Sequence, residues 1–143
     1  MKKSSRIFLA GHNGLVGSYL FKLLKNNGYK NIITVEKKQL NLRDFNKVEK
    51  FFRKKKIDYM IMAAARAGGI LANSYNQKNF FFENIEIQNS LLKLAQIKKI
   101  KRTIYLGTSC IYPKHTKNPI KEESLLTGKL EKTNQCYAIA KIA

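Results

Sequence analysis

Acidic residues, cysteines and long apolar runs are the scarce features of this chain. Nine Asp+Glu stand against 28 Lys+Arg, a formal charge of +19 over 143 residues. Two cysteines, Cys110 and Cys136, are too few for a disulfide framework, and reduced thiols in the cytoplasm are the default expectation. No apolar run reaches the ~20 residues that a membrane-spanning helix needs, so no membrane partner is expected. The start, M-K-K-S-S-R, is basic, but a strand pattern follows it where a signal peptide would have its apolar segment. No signal peptide is expected. No Cys/His spacing suggests a metal site.

The basic excess raises nucleic acid as a partner, because cationic faces neutralise phosphates. Its two short clusters, Arg53–Lys56 and Lys98–Arg102, fall where helices are predicted to end, and cations there complement the helix dipole. No nucleic-acid-binding motif accompanies them. The expectation is a lysine-rich surface without a nucleic-acid partner, compatible with an anionic substrate.

What is present begins with I-F-L-A-G-H-N-G-L-V-G, from Ile7 to Gly17. An apolar run ends in three glycines, Gly11, Gly14 and Gly17, and an apolar helical pattern follows. Gly11 permits a tight strand-to-helix turn, Gly14 lets a phosphate approach the backbone, and Gly17 lets the helix pack on the strand. A pyrophosphate would sit on the free N–H groups of that helix, with Asn13, Leu15 and Val16 completing the turn.

Downstream, strands are predicted at 6–11, 32–36, 59–65 and 103–107. Helices are predicted after Gly17, with Val16, Leu20, Leu23 and Leu24 on one face and Asn27-Gly28 as the stop, and after Asp44 as N-cap, with Phe45, Val48 and Phe52 inward. A single long helix is predicted within 76–99, with Ile87, Leu91 and Leu94 on one side, and a last one starts at Asn134. The stretch 114–133 reads as an irregular connection. The alternation predicts an α/β fold, a Rossmann-like parallel sheet with helices on both faces, forming one domain over residues 1–143, with strand order 3-2-1-4. Gly11, Glu36, Ala65 and Thr108 then lie at the carboxyl ends of strands, where ligands bind.

Glu36, 19 residues after Gly17, is placed to accept ribose hydroxyls, while Lys37 and Lys38 are placed for a 2′-phosphate. NAD and NADP both stay open on these residues. Tyr137 and Lys141 are spaced i, i+4 on a predicted helix, so they share a face, and the ammonium is expected to lower the phenol's pKa. A phenol so tuned can give or take a proton. Thr108, Ser109 and Cys110 directly follow the fourth strand. A Thr108 hydroxyl can bond a substrate oxygen or the tyrosine. Cys110 is either a proton donor and acceptor or a packed core thiol.

The motifs G-H-N-G-L-V-G, A-A-A-R-A-G-G-I, G-T-S-C-I-Y-P-K and Y-A-I-A-K-I-A together resemble those of the GDP-L-fucose synthase family, extended short-chain dehydrogenase/reductases of the NAD-dependent epimerase/dehydratase group. The resemblance implies 3,5-epimerisation and NADPH-dependent 4-reduction of GDP-4-keto-6-deoxy-D-mannose to GDP-L-fucose. A different nucleotide-sugar epimerase or dehydratase, or an inactive nucleotide-binding fragment, are the alternatives. It implies catalytic roles for Thr108, Tyr137 and Lys141, and proton transfer at Cys110. It also implies a cofactor site of Gly11, Asn13, Gly14, Leu15, Val16, Gly17, Glu36, Lys37, Leu40, Asn41, Leu42, Ala64, Ala65 and Lys141, holding NADP, with NAD as the alternative. A GDP-sugar is the implied partner, and the full-length family is expected to form homodimers. Asn13 stands where the family carries an arginine for the 2′-phosphate, and Thr108 where it usually has serine. The family's enzymes are much longer, and their second half carries most of the sugar pocket. This chain by itself is therefore expected to lack catalytic competence.

Overall fold

A computed structural model describes residues 1–143. The chain divides into two compact units, residues 1–65 with 86–106, and residues 66–85 with 107–143.

The first unit holds a four-stranded, all-parallel sheet of β1 (Ile7–Ala10), β2 (Ile32–Ile33), β3 (Tyr59–Met62) and β4 (Arg102–Tyr105). Parallel neighbours need crossovers, and the helices that supply them bury both faces of the sheet. Side chains alternate accordingly. Phe8, Ala10, Met60 and Met62 point to one face, where Val48 and Phe52 of α2 (Phe45–Phe52) and Leu91 and Leu94 of α4 (Gln77–Ile97) complete a core. Ile7, Leu9 and Ile61 point to the other, against Leu20, Phe21 and Leu24 of α1 (Leu15–Asn26). The Asp44 carboxylate caps α2 by accepting the Lys47 N–H at 3.1 Å. Gly28, at φ +77°, follows the end of α1.

The strand order is β2-β1-β3-β4, not 3-2-1-4. With only two residues, β2 pairs with Ile7 and Phe8 and supports no outer neighbour. The run Y-M-I-M is apolar on both faces, and a strand of that kind belongs between partners rather than at an edge. It pairs with β1 on one side and β4 on the other. β4 is the edge, and its Ile104 is exposed. After β2, Val35 and Leu40 enter the core from irregular backbone. On α1 the inward positions are Gly17, Leu20, Phe21 and Leu24, whereas Val16 and Leu23 face water.

The basic clusters cap helix ends. Lys55 Nζ donates to the Phe51 carbonyl at 3.0 Å and lies over the Phe51 ring, and Lys98 Nζ donates to the Arg53 carbonyl at 2.8 Å. These contacts satisfy carbonyls that a helix leaves open at its C-terminus.

In the second unit, α3 (Ile70–Tyr75) is a helix not expected ahead of the one placed within 76–99, and α4 starts after it at Gln77. Asn76 divides them: its N–H closes α3 on the Ala72 carbonyl, and its own carbonyl receives the Phe80 N–H, each at 3.1 Å. Residues 114–131 are irregular, with one 3₁₀ turn at Glu122–Ser124, and α5 (Gln135–Ile142) follows a second at Lys132–Asn134.

At the start of β1 and β3, Arg6 and Asp58 form a bidentate pair. Arg6 Nη2 and Nε donate to the two carboxylate oxygens at 2.7 and 3.0 Å, and the Arg6 backbone N–H adds a third bond at 2.8 Å. The guanidinium's hydrogen bond, with that N–H, holds the Asp58 carboxyl well below the usual carboxylate range. A carboxyl depressed in the folded state stabilises above its unfolded pKa, and that stability is lost as pH falls through the folded value. Asp58→Asn should therefore lower the thermal midpoint at pH 7 by a few degrees. The gap from the parent should narrow steadily as pH drops below about 4. Thermal melts by circular dichroism at stepped pH check both.

Candidate functional site

Two groups of residues carry the chemistry, one in each unit. In the first, the turn from β1 into α1 is shaped by backbone crowding. Gly11 has φ +84°, and a Cβ there would lie 2.6–2.7 Å from the backbone of Ala63 and Ala64, at the end of β3. A Cβ on Gly17 would fall inside the Gly11 carbonyl oxygen. Gly14 differs, since a Cβ would meet only that oxygen, at 3.3 Å. The turn closes through the Gly14 N–H on the Gly11 carbonyl at 3.0 Å.

Gly14 is the N-cap of α1, with no side chain capping it and no acid in the first turn. The N–H groups of Leu15, Val16 and Gly17 begin the helix with no intrahelical acceptor, and the Leu15 and Val16 side chains are exposed beside them. Uncapped N–H groups, the positive end of the helix dipole and a glycine doorway fit a pyrophosphate. Asn13 is exposed at the same turn.

After β2, Glu36 pairs with Lys38 at 3.0 Å, and Lys37 is exposed. Leu40 is buried in the core and Leu42 packs against it, so these two face inward, while Asn41 is exposed and its Oδ1 accepts the Arg43 N–H at 3.1 Å. Ala64 is partly buried and Ala65 exposed at the end of β3.

In the second unit, Thr108 caps a 3₁₀ turn at Ser109–Ile111, its Oγ1 accepting the Cys110 N–H at 3.4 Å. The turn packs against α5, and Thr108, Cys110 and Tyr137 meet there. The Thr108 hydroxyl and the Cys110 sulfur both act on the Tyr137 phenol. Burial pushes the phenol's pKa up, the sulfur pushes it further, and the Thr108 hydrogen bond pulls it back. That is opposite to the lowering expected from Lys141. The ammonium meant to stabilise phenolate is itself buried, and desolvation pushes its pKa down. Lys141 lies one turn beyond Tyr137 on the same helix face. Phe80 meets the Tyr137 ring edge-on at 6.3 Å between centroids.

Sequence reasoning missed two asparagines. Buried Asn84 clamps the backbone of Arg66, its Oδ1 accepting the N–H at 2.8 Å and its Nδ2 donating to the carbonyl at 3.0 Å. This sets the loop that follows β3, with the Arg66 guanidinium on Glu83 at 2.5 Å and over the Phe80 ring. Asn134 donates from Nδ2 to the Cys110 sulfur at 3.1 Å. Asparagine on a helix or at its start reads as solvated or capping, so neither announced itself.

The family model for NAD dependent epimerases/dehydratases matches residues 7–143. The chain belongs to that family. Among its relatives, GDP-L-fucose synthase 1 of Arabidopsis thaliana is 45% identical over 141 residues, covering 99% of this chain and 44% of the plant protein. GDP-L-fucose synthase of Escherichia coli K12 is 41% identical over 138 residues, covering 96% of this chain and 43% of that enzyme. Among solved structures, the GDP-mannoheptose C4 reductase MlghC of Campylobacter jejuni, with NADP bound, superposes with a TM-score of 0.95 at 33% identity, over 99% of this chain and 42% of that one. The chain thus spans less than half the length of these relatives. No helix in it is long and apolar enough to cross a membrane.

For an epimerase/dehydratase chain with this turn, Gly14 and Gly17 separate binding from folding. Gly17→Ala should collapse cooperative unfolding, because its methyl group and the Gly11 carbonyl cannot share the space. Gly14→Ala should leave the thermal midpoint within about 1 kcal/mol of the parent's stability while weakening dinucleotide binding at least tenfold. Thermal melts and fluorescence titration with NADPH check the pair.

Proposed function

We propose that this chain carries the dinucleotide-binding turn and the proton-transfer group of a GDP-L-fucose synthase, which epimerises carbons 3 and 5 of GDP-4-keto-6-deoxy-D-mannose and reduces its 4-keto group with NADPH. The observation that carries the reading is the Thr108–Cys110–Tyr137 cluster: a hydroxyl and a thiol on one short turn, with a phenol brought to them by α5. A simple reductase needs the hydroxyl and the phenol, whereas a proton-moving thiol answers to epimerisation. Similarity along nearly all of this chain to the corresponding part, less than half, of two curated GDP-L-fucose synthases supports it, and assembly as a homodimer belongs to the same reading.

Each residue then has a defined task. The Leu15 and Val16 N–H groups hold the pyrophosphate of NADP at the uncapped start of α1. Lys37 and Lys38 supply positive charge for the 2′-phosphate that Asn13 cannot meet. NADPH, when bound, supplies the reducing equivalent for the ketone. Tyr137, with a phenol held protonated by its surroundings, gives its proton to the C4 oxygen, and Thr108 bonds that oxygen and the phenol. Cys110, as the thiolate, takes the proton from the carbon next to the ketone and becomes a thiol, and the enolate left behind is reprotonated on the opposite face by an acid that the residues described here do not supply.

Fusing this chain to the C-terminal segment of the Escherichia coli relative and supplying GDP-4-keto-6-deoxy-D-mannose with NADPH tests the reading. GDP-L-fucose is the expected product. A sugar reduced at C4 but epimerised at neither carbon would instead identify a C4 reductase, the activity named for MlghC. Cys110→Ser in the same fusion should cut epimerisation by about a hundredfold, while a ketone already epimerised is still reduced. For the cofactor, Lys37→Ala with Lys38→Ala should weaken NADPH about tenfold, as expected for lost charge-assisted bonds, and NADH little. Equal effects on both nucleotides would assign the site to NAD.

A further inference from the structure

The Asn134 side chain occupies an unusual position. It is the N-cap residue of α5, where asparagine normally turns its oxygen back onto the helix N–H groups, yet it makes no such capping bond. Its amide reaches across 24 residues to the Cys110 sulfur instead, Nδ2 to Sγ at 3.1 Å. The other end of the amide, Oδ1, is buried without a partner in the protein. The cap has been given up for the sulfur.

We propose that Asn134 is a positioning residue for Cys110, its amide N–H fixing the sulfur beside Tyr137 and favouring the charged thiolate during proton transfer. The inference rests on the proton-transfer role given to Cys110 above. A hydrogen bond donated to the charged form of a group stabilises that form. As a thiolate, Cys110 accepts a proton from carbon and becomes a thiol, and in the reverse step the thiol returns it. Asn134 stays neutral throughout and contributes only its N–H.

The turn Ser109–Ile111 has no other titratable side chain, and the element packed against it is α5. From α5, Tyr137 lies near enough to feel the sulfur, with Lys141 one turn further on. Glu131, ahead of the turn that carries Asn134, is held by Lys114 at 2.7 Å. Cys136, by contrast, has the Gln77 Oε1 as its partner, 3.4 Å away. The two thiols thus have different neighbours, and Cys136 serves as an internal control.

The test is the pH dependence of alkylation by iodoacetamide, read by mass spectrometry on the separate Cys110 and Cys136 peptides. In Asn134→Ala the midpoint for Cys110 should rise by about one pH unit, the scale of one hydrogen bond to a charged group, while that for Cys136 stays in place. Asn134→Asp, close to isosteric, replaces the donor with a charged acceptor and should raise the Cys110 midpoint further. Unchanged Cys110 midpoints in both variants, or equal shifts at both thiols, would overturn the proposal. Loss of the far-ultraviolet circular dichroism signal in both variants would also overturn it, by making residue 134 structural. The titration needs no sugar, so a shifted midpoint together with a fusion that fails to epimerise would sink the synthase reading and leave the positioning role standing. If the fusion is active, Asn134→Ala should slow deuterium uptake at C3 and C5 from D2O about tenfold and leave reduction of an epimerised ketone near parental.

Discussion

The close approach of α1 to the turn before it constrains the whole first unit. The Gly11 carbonyl oxygen takes the space that a side chain on residue 17 would need, and Gly11 itself sits against the backbone of Ala63 and Ala64. Three segments, the end of β1, the start of α1 and the end of β3, are therefore locked by glycine rather than by side-chain fit. Backbone packed that tightly cannot drift, which is what a site built from main-chain N–H groups requires. The helix start is left uncapped because its N-cap, Gly14, has no side chain to accept from it, so its donors stay available.

In the second unit the corresponding constraint is a short turn against a short helix. Thr108 holds the Cys110 N–H, the turn presents the sulfur, and α5 brings Tyr137 and Asn134 to it. Eight residues of α5 make a marginal helix in isolation, so its order comes from packing, through buried Ala138, Ala140 and Lys141. Small residues on that face let the helix approach closely. The burial that fixes the phenol also disfavours its ionisation, which suits a proton donor better than a base. In the first unit charge is handled differently, with lysines closing helix carbonyls and Arg6 holding Asp58. The large positive charge is thus partly a set of helix caps.

Much of this was legible from residue patterns. The glycine spacing, the apolar run of β3, the Asp44 cap and the Tyr137–Lys141 spacing are local signals, each set by sterics or helix periodicity within a few residues. Strand order is another matter. Placing β3 beyond β2 followed the commoner arrangement, yet the chain already carried the contrary sign: a strand apolar on both faces is not an edge. Helix α3 was hidden for a different reason, since I-L-A-N-S-Y has neither a strong cap nor a periodic stripe long enough to register.

By itself, then, the sequence determined most of the elements, the parallel sheet, the glycine turn and the family, because these depend on local backbone freedom and on which residues shun water. Tertiary structure decided the order of the strands, the inward turn of Leu40, the direction in which Tyr137 is tuned and the partner of Cys110. Those depend on desolvation and on groups far apart in the chain. Asn134 and Cys110 are 24 residues apart, and no local rule links a helix-capping asparagine to a thiol on another turn. Only folding brings the donor to the sulfur.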